Sequence, residues 1–167
     1  ITNKAIKIIL KGTFMKLIKS RKPRNLMNIY RLYLKSFPKN ERKPFPFILL
    51  KQWRGTTEVL SLKNSKGEFL GLAITALQNN LALIAYFAIS SEKRGKGIGS
   101  KALKLLKERY SNKKIFLEIE NTETESENKE ERKRRKNFYL KNGMLEMPFI
   151  INFFGTEMEV LTYNSPV

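Results

Sequence analysis

Three glycines at alternate positions stand shortly after an apolar run, in Arg94-Gly95-Lys96-Gly97-Ile98-Gly99 following Leu81–Ile89. The apolar spacing beyond them predicts a helix over Ser100–Tyr110, so the segment reads strand, glycine loop, helix. Glycines let the backbone turn tightly and approach a ligand with no Cβ in the way. The first amides of a helix lack intrahelical partners and sit at the positive end of its dipole. Arg94 and Lys96 add charge, and Ile98 and Ser100 add amides. Such a pocket takes a phosphate or pyrophosphate. The spacing narrows the ligand: glycines 95, 97 and 99 do not make the Gly-x-Gly-x-x-Gly of a dinucleotide site, and the Gly-Lys-Ser/Thr of a nucleoside-triphosphate loop is absent.

Composition narrows the rest of the chemistry. The chain has no Cys and no His. Thiolate or imidazole zinc sites are therefore impossible, as are Ser-His and Cys-His nucleophilic pairs. No metal site is expected. General acid–base work must fall to Glu, Tyr, Lys, water or a terminus. Glu118 and Glu120 lie two apart in the apolar strand Lys114–Glu120 and so share one of its faces. Such a Glu either takes a proton through a water or pairs with a helix arginine such as Arg134.

The elements around these residues follow from periodicity and breakers. Met15–Arg21 predicts a first strand. Asn25–Phe37 has helical spacing and stops at Pro38, and a short helix follows over Pro46–Trp53. Glu58–Leu62 and Glu68–Leu77 read as strands around the turn Asn64-Ser-Lys-Gly67, and Asn79-Asn80 turns the chain into Leu81–Ile89. Strand Lys114–Glu120 comes after a helix, so it runs parallel to the strand before the glycine loop. Asn121–Asn128 reads as a polar loop and Glu130–Asn142 as a helix, in which Glu130 and Glu131 precede Arg134 and Arg135 by four residues. Gly143 stops that helix. Phe149–Phe154 and Glu157–Tyr163 close the chain as a hairpin. The order β-α-α-β-β-β-α-β-α-β-β is α+β, with a mixed, mostly antiparallel sheet of six to seven strands and helices on both faces.

Four segments in this order resemble one family. Arg-x-x-Gly-x-Gly over Arg94–Gly99, within Phe87-Ala-Ile-Ser-Ser-Glu-Lys-Arg-Gly-Lys-Gly-Ile-Gly-Ser-Lys-Ala-Leu, is similar to the pyrophosphate loop of the GNAT superfamily of acyl-CoA N-acyltransferases. Arg134-Arg135-Lys136-Asn137-Phe138-Tyr139-Leu140-Lys141-Asn142-Gly143-Met144 resembles that family's Arg-x-x-x-Phe-Tyr-x-x-x-Gly-Phe segment, with Met144 for the usual aromatic. Leu117-Glu118-Ile119-Glu120 and Phe37-Pro38-x-x-Glu41-Arg42 look like segments of one bacterial subgroup. The resemblance spans residues 15 to about 165.

The resemblance implies an enzyme that moves an acetyl group from acetyl-CoA to a primary amine by direct attack in a ternary complex. A small amine or amino-acid-like metabolite is the favoured acceptor, ahead of a peptide or protein amine and aminoacyl-tRNA. Gly95, Gly97, Gly99 and the neighbouring amides would bind the pyrophosphate. Phe87, Ala88 and Ile89 would pair with the pantetheine arm, with the Ile89 N–H stabilising the charge on the thioester oxygen. Tyr139 would be the general acid, or else a core aromatic beside Phe138. Glu118 or Glu120 would be the base. Glu41 would neutralise the acceptor amine or pair with Arg42.

The net charge of +18 is uneven. Residues 1–54 hold 15 Lys/Arg against Glu41 alone, a balance of +14, and the remainder carries +4. This favours polyanions such as CoA or nucleic acid, or simply solubility. A CoA-sensing domain without catalysis, or a basic nucleic-acid-binding module, is the alternative class. No apolar run reaches membrane-span length, and without Cys nothing argues for secretion, so a cytoplasmic protein is expected, as a monomer or homodimer. Residues 1–14 are expected to be an extension upstream of a start at Met15, and 15–167 a single domain.

Overall fold

The computed structural model describes residues 14–153 and 155–164. Apart from Phe14, the extension proposed for 1–14 lies outside the described residues. The element order is β1 (Met15–Lys19), α1 (Pro23–Ser36), α2 (Phe45–Trp53), β2 (Thr57–Asn64), β3 (Phe69–Gln78), β4 (Leu81–Ile89), a 3-10 turn (Ser91–Lys93), α3 (Ile98–Arg109), β5 (Lys114–Glu120), α4 (Lys129–Lys141), β6 (Leu145–Phe153) and β7 (Thr156–Tyr163). One seven-stranded sheet runs β1-β2-β3-β4-β5-β7-β6. Only β4 and β5 pair in parallel; the other neighbours are antiparallel. This is the expected α+β fold.

The helices divide between the two faces by their apolar stripes. Pro23 opens α1, where its missing N–H costs no helical bond. Ile29, Leu32 and Tyr33 then bury one stripe with Ile48 of α2 against Leu72, Ile74, Tyr86 and Ala88 of the sheet. On the other face Ala102, Leu103, Leu105 and Leu106 of α3, with Tyr139 of α4, cover Leu60, Ala73, Ile84, Ile115 and Leu117. Buried Gln52 ties the first group together: its Nε2 donates to the Ser20 carbonyl at 2.9 Å, and its Oε1 accepts from the Val59 N–H at 2.8 Å.

The centre of the sheet is split. β4 and β5 pair only at Leu81–Lys114, Ala82–Ile115 and Leu83–Phe116. Beyond that point β4 stays with β3 as far as Gly71–Ile89, and β5 stays with β7 as far as Glu120–Met158. The register of β3 and β4 shifts between Ile74 and Thr75, leaving Ala85 as an extra residue in β4 where the strands part. A bulge bends and twists its strand locally, and this one lies at the apex of the opening.

Several boundaries differ from the periodic reading, and two of them have a clear physical reason. Helix α3 begins at Ile98, with Gly97 as its left-handed N-cap, so Gly99 lies inside the first turn rather than before it. Strand β6 begins at Leu145 and passes Pro148, with a register shift between Glu146 and Ile150. An edge strand tolerates a proline that an inner strand would not.

Candidate active site

The glycine loop lies past the end of β4, at the open end of the split. Gly95 and Gly97 have φ of 77° and 69°, a conformation that strains any residue with a Cβ. A Cβ at either position would meet nothing within 4 Å, so the space beside the loop is free for a ligand. Gly99 serves packing instead: a Cβ there would stand 3.2 Å from Phe138 Cζ, so its absence lets the start of α3 approach α4. The Lys101 N–H donates to the Gly97 carbonyl at 3.2 Å. The amides of Ile98, Gly99 and Ser100 precede that first helical bond and have no helical acceptor. Lys96 is exposed. Arg94 does a second job: its Nε donates to the Ile89 carbonyl at 3.2 Å and folds the loop back onto the end of β4.

The free edge of β4 offers its backbone to the gap. The Ser90 N–H donates to the Leu70 carbonyl at 2.9 Å. Antiparallel alternation then turns the polar groups of Ala88 toward β3 and those of Phe87 and Ile89 away from it, into the opening. Open glycines, free helix amides and an unpaired strand edge together fit a long ligand with an anionic end.

Tyr139 lies on the α3–α4 side. It is buried, and among the described residues its hydroxyl has no hydrogen-bond partner. Its ring contacts Phe138 at 5.1 Å, and Phe138 stacks on Phe87 of β4 at 6.5 Å. Burial pushes the phenol up to about 12, against the opposing pull of the Arg135 charge. Tyr139 is thus both a core aromatic and a phenol that stays protonated.

Glu118 and Glu120 point to the opposite face from Tyr139, since Ile115, Leu117 and Ile119 between them pack into the same core as that tyrosine. Their surroundings differ. Glu118 is exposed and, among the described residues, makes no ion pair. Glu120 accepts from Arg132 Nη2 at 2.9 Å. The helix partner is therefore Arg132 and not Arg134. Glu41 makes no ion pair with Arg42; desolvation holds its carboxyl above the usual carboxylate range, aided by the like charge of Glu120 and opposed by Arg135 and Arg132.

Two buried tyrosines that the sequence reading treated only as apolar positions fasten the loop carrying Glu41. The Tyr86 hydroxyl donates to the Glu41 carbonyl at 2.9 Å and accepts from the Lys43 N–H at 3.1 Å. The Tyr33 hydroxyl donates to the Lys43 carbonyl at 2.9 Å. Burial is the main cause that pushes Tyr33 well above the usual tyrosine range.

Glu118 lines a cavity of about 630 Å³ between α2 and strands β3 to β5, with Lys43, Phe47, Lys51, Leu83, Ala85 and Phe116 among its walls. Sequence reasoning missed this cavity. Phe116 was within reach, as it alternates with buried Ile115 and Leu117 beside Glu118. Among the described residues no cluster of acidic side chains could hold a metal, and no helix is long and apolar enough to cross a membrane.

The sequence matches the acetyltransferase (GNAT) family over residues 26–144. Among solved structures, a protein of Bacteroides thetaiotaomicron assigned to the GNAT family superposes with a TM-score of 0.76 at 19% identity, over 92% of this chain and 88% of that one. Spermidine N-acetyltransferase from Vibrio cholerae, in complex with CoA and spermine, superposes with a TM-score of 0.66 at 15% identity, over 89% and 94%. A GNAT-family protein of Desulfovibrio desulfuricans reaches 0.66 at 11% identity, over 89% and 98%. Among curated proteins none matches in sequence.

Proposed function

This chain belongs to the GNAT family of acetyltransferases, and from that premise we propose how its residues divide the work of acetyl transfer. It is an acyl-CoA-dependent N-acetyltransferase with acetyl-CoA as co-substrate. The bound thioester supplies an electrophilic carbonyl and a thiolate leaving group. The observation that carries the assignment of roles is the parting of β4 from β5 after Leu83 and Phe116, with Tyr139 on one face of the opening and Glu118 on the other.

The amides at the start of α3 hold the pyrophosphate, with Lys96 adding charge. Phe87 offers its gap-facing N–H and carbonyl to the pantetheine arm, while Arg94 holds the Ile89 carbonyl. The Ile89 N–H receives the charge that grows on the thioester oxygen. Glu118 takes the proton of the attacking ammonium through a water, because Glu120 is committed to Arg132. Tyr139 protonates the departing thiolate. Glu41 sits in the field of Glu120 and steers the cationic amine toward the opening.

The acceptor is a small primary amine or an amino-acid-like metabolite, attacked directly in a ternary complex. The chain has no Cys to carry an acyl group, which agrees with direct transfer. Thiol release on mixing the protein with acetyl-CoA and a panel of amines tests this reading. Release that depends on the amine supports it; amine-independent release, or none with any amine, counts against it.

A further inference from the structure

The cavity beside Glu118 has a chemistry of its own. Its walls are mostly apolar: Phe47, Leu77, Leu81, Leu83, Phe116 and Val160 contribute, and the other nonpolar lining comes from the same elements. Among the described residues Glu118 is the one acid that lines it, while Lys43 and Lys51 bring two positive charges. An acceptor that is itself a polycation would need several carboxylates here and would be repelled by both lysines. An apolar body with one ammonium and one anionic group matches all three charges.

The size and layout of the cavity bound the length of that body. Glu118 belongs to β5, whereas Lys51 belongs to α2, which packs on β2. Strands β2 and β5 are three places apart in the sheet, about 14 Å between backbones. The Lys51 Nζ stands 5.0 Å from the ring centroid of Phe47, so its charge lies beside an apolar wall of the cavity. Lys43 is set at the near side by its backbone bonds to Tyr86 and Tyr33. An extended dipeptide separates its terminal ammonium from its carboxylate by about 7 Å. The cavity of about 630 Å³ has room for a dipeptide with two apolar side chains, more than a free amino acid would fill.

We infer that the acceptor is a dipeptide-sized amine with an apolar body and an anionic end, its ammonium at Glu118 and its anion at Lys43 and Lys51. The inference rests on the acetyl-transfer reading above and names the substrate class of that same site. The step balances: the ammonium gives one proton to Glu118 through a water, the amine nitrogen bonds to the acetyl carbon, the carbon–sulfur bond breaks, the thiolate takes the Tyr139 proton, and the second nitrogen proton passes through water to restore the Tyr139 phenol.

The test is thiol release from acetyl-CoA by the full chain with leucyl-phenylalanine, its C-terminal amide, and spermidine, alongside melting temperature with acetyl-CoA alone. The free-acid dipeptide is expected to exceed the amide and spermidine by at least ~10-fold in kcat/KM. The Lys43→Gln/Lys51→Gln double variant is expected to erase most of the difference between acid and amide, mainly through the KM of the acid. Equal rates for acid and amide, a preference for spermidine, or stabilisation by acetyl-CoA with no release from the dipeptide would each overturn the inference. The first two of those leave acetyl transfer standing. No release from any amine together with no stabilisation by acetyl-CoA would instead overturn the reading beneath it.

Discussion

The Glu120 carboxylate receives an N–H of Arg132 at 2.9 Å, a contact that joins the end of β5 to the first turns of α4. The pair separates two glutamates that look equivalent on their strand. Glu120 is spoken for, and Glu118 faces the cavity. Glu118→Gln is expected to lower kcat at neutral pH by at least ~10-fold with little loss of stability. Glu120→Gln is expected to do the reverse. It leaves Arg132, whose Nε is already buried without a partner, short of its charge partner, and should cost about 2 kcal/mol in denaturant melts. A kcat loss confined to Glu120→Gln would reverse the assignment.

Tyr139 gives a prediction with a definite sign in pH. A general acid must be protonated, so its activity fails only as pH rises through its pKa. With the phenol pushed up to about 12 rather than the ordinary ~10, Tyr139 should impose no basic limb on kcat below about pH 11. Folding stability follows the same sign: the buried neutral phenol is favoured below about pH 10 and that contribution is lost as pH rises toward 12. Tyr139→Phe should lower kcat at least ~10-fold and leave acetyl-CoA affinity nearly unchanged. An unchanged kcat would remove Tyr139 from the acid role.

Tyr86 positions the loop of Glu41 and Lys43 without reaching the reacting atoms. Tyr86→Phe keeps the ring contacts with Tyr33 and Phe37 but strands the Lys43 N–H and the Glu41 carbonyl. The expected result is a stability loss of about 1 kcal/mol and an acceptor KM raised several-fold, with kcat at saturation preserved. A fall in kcat with unchanged KM would contradict a positioning role.

The edge of the gap depends on Gly71. A Cβ there would fall 2.5 Å from the Ala88 carbonyl and 3.0 Å from Ile89 Cδ1. Gly71→Ala should therefore push β4 off its register near the Ile89 amide and cost about 2 kcal/mol. Gly97→Ala meets no such clash but must hold a Cβ at φ 69°. It should cost about 1 kcal/mol and weaken acetyl-CoA more than it weakens the fold. Calorimetry with and without acetyl-CoA separates the two.

Glu58 anchors the far end of α3. It accepts from Arg109 Nε and Nη2 at 2.8 Å each and from the Tyr110 hydroxyl at 2.7 Å. Those bonds outweigh its burial and hold its carboxyl below the usual carboxylate range. Stability from this group is thus complete above about pH 4.3 and is lost as pH falls through its lowered folded value. Glu58→Gln should cost about 3 kcal/mol near neutral pH and flatten part of the acid limb of an unfolding profile.

The legible parts of this molecule were those fixed by local pattern. Leu81–Ile89 and Lys114–Glu120 stand at the bounds that their apolar runs indicated, and Gly143 ends α4 with φ of 81°. The β6 start was hidden by Pro148, which removes a ladder donor yet sits harmlessly on an edge. The parting of β4 and β5 has no local signal, because the bulge at Ala85 shows only in how β4 pairs with β3. The choice of Arg132 over Arg134 depends on the rotation of α4. That helix is charged on nearly every face, so periodicity could not set its phase. The cavity depends on α2 and strands β3 to β5 facing one open space, which no local pattern encodes.

If the glycine loop and the β4 edge hold acetyl-CoA, that ligand must stabilise the fold. The most direct test is the melting temperature of the chain alone and with excess acetyl-CoA, CoA or ATP. A ligand at 100 times its Kd adds about 2.7 kcal/mol, a rise of several degrees for a domain of this size. The expected result is a comparable rise with both CoA species and none with ATP. No rise with either CoA species at millimolar concentration would contradict the account.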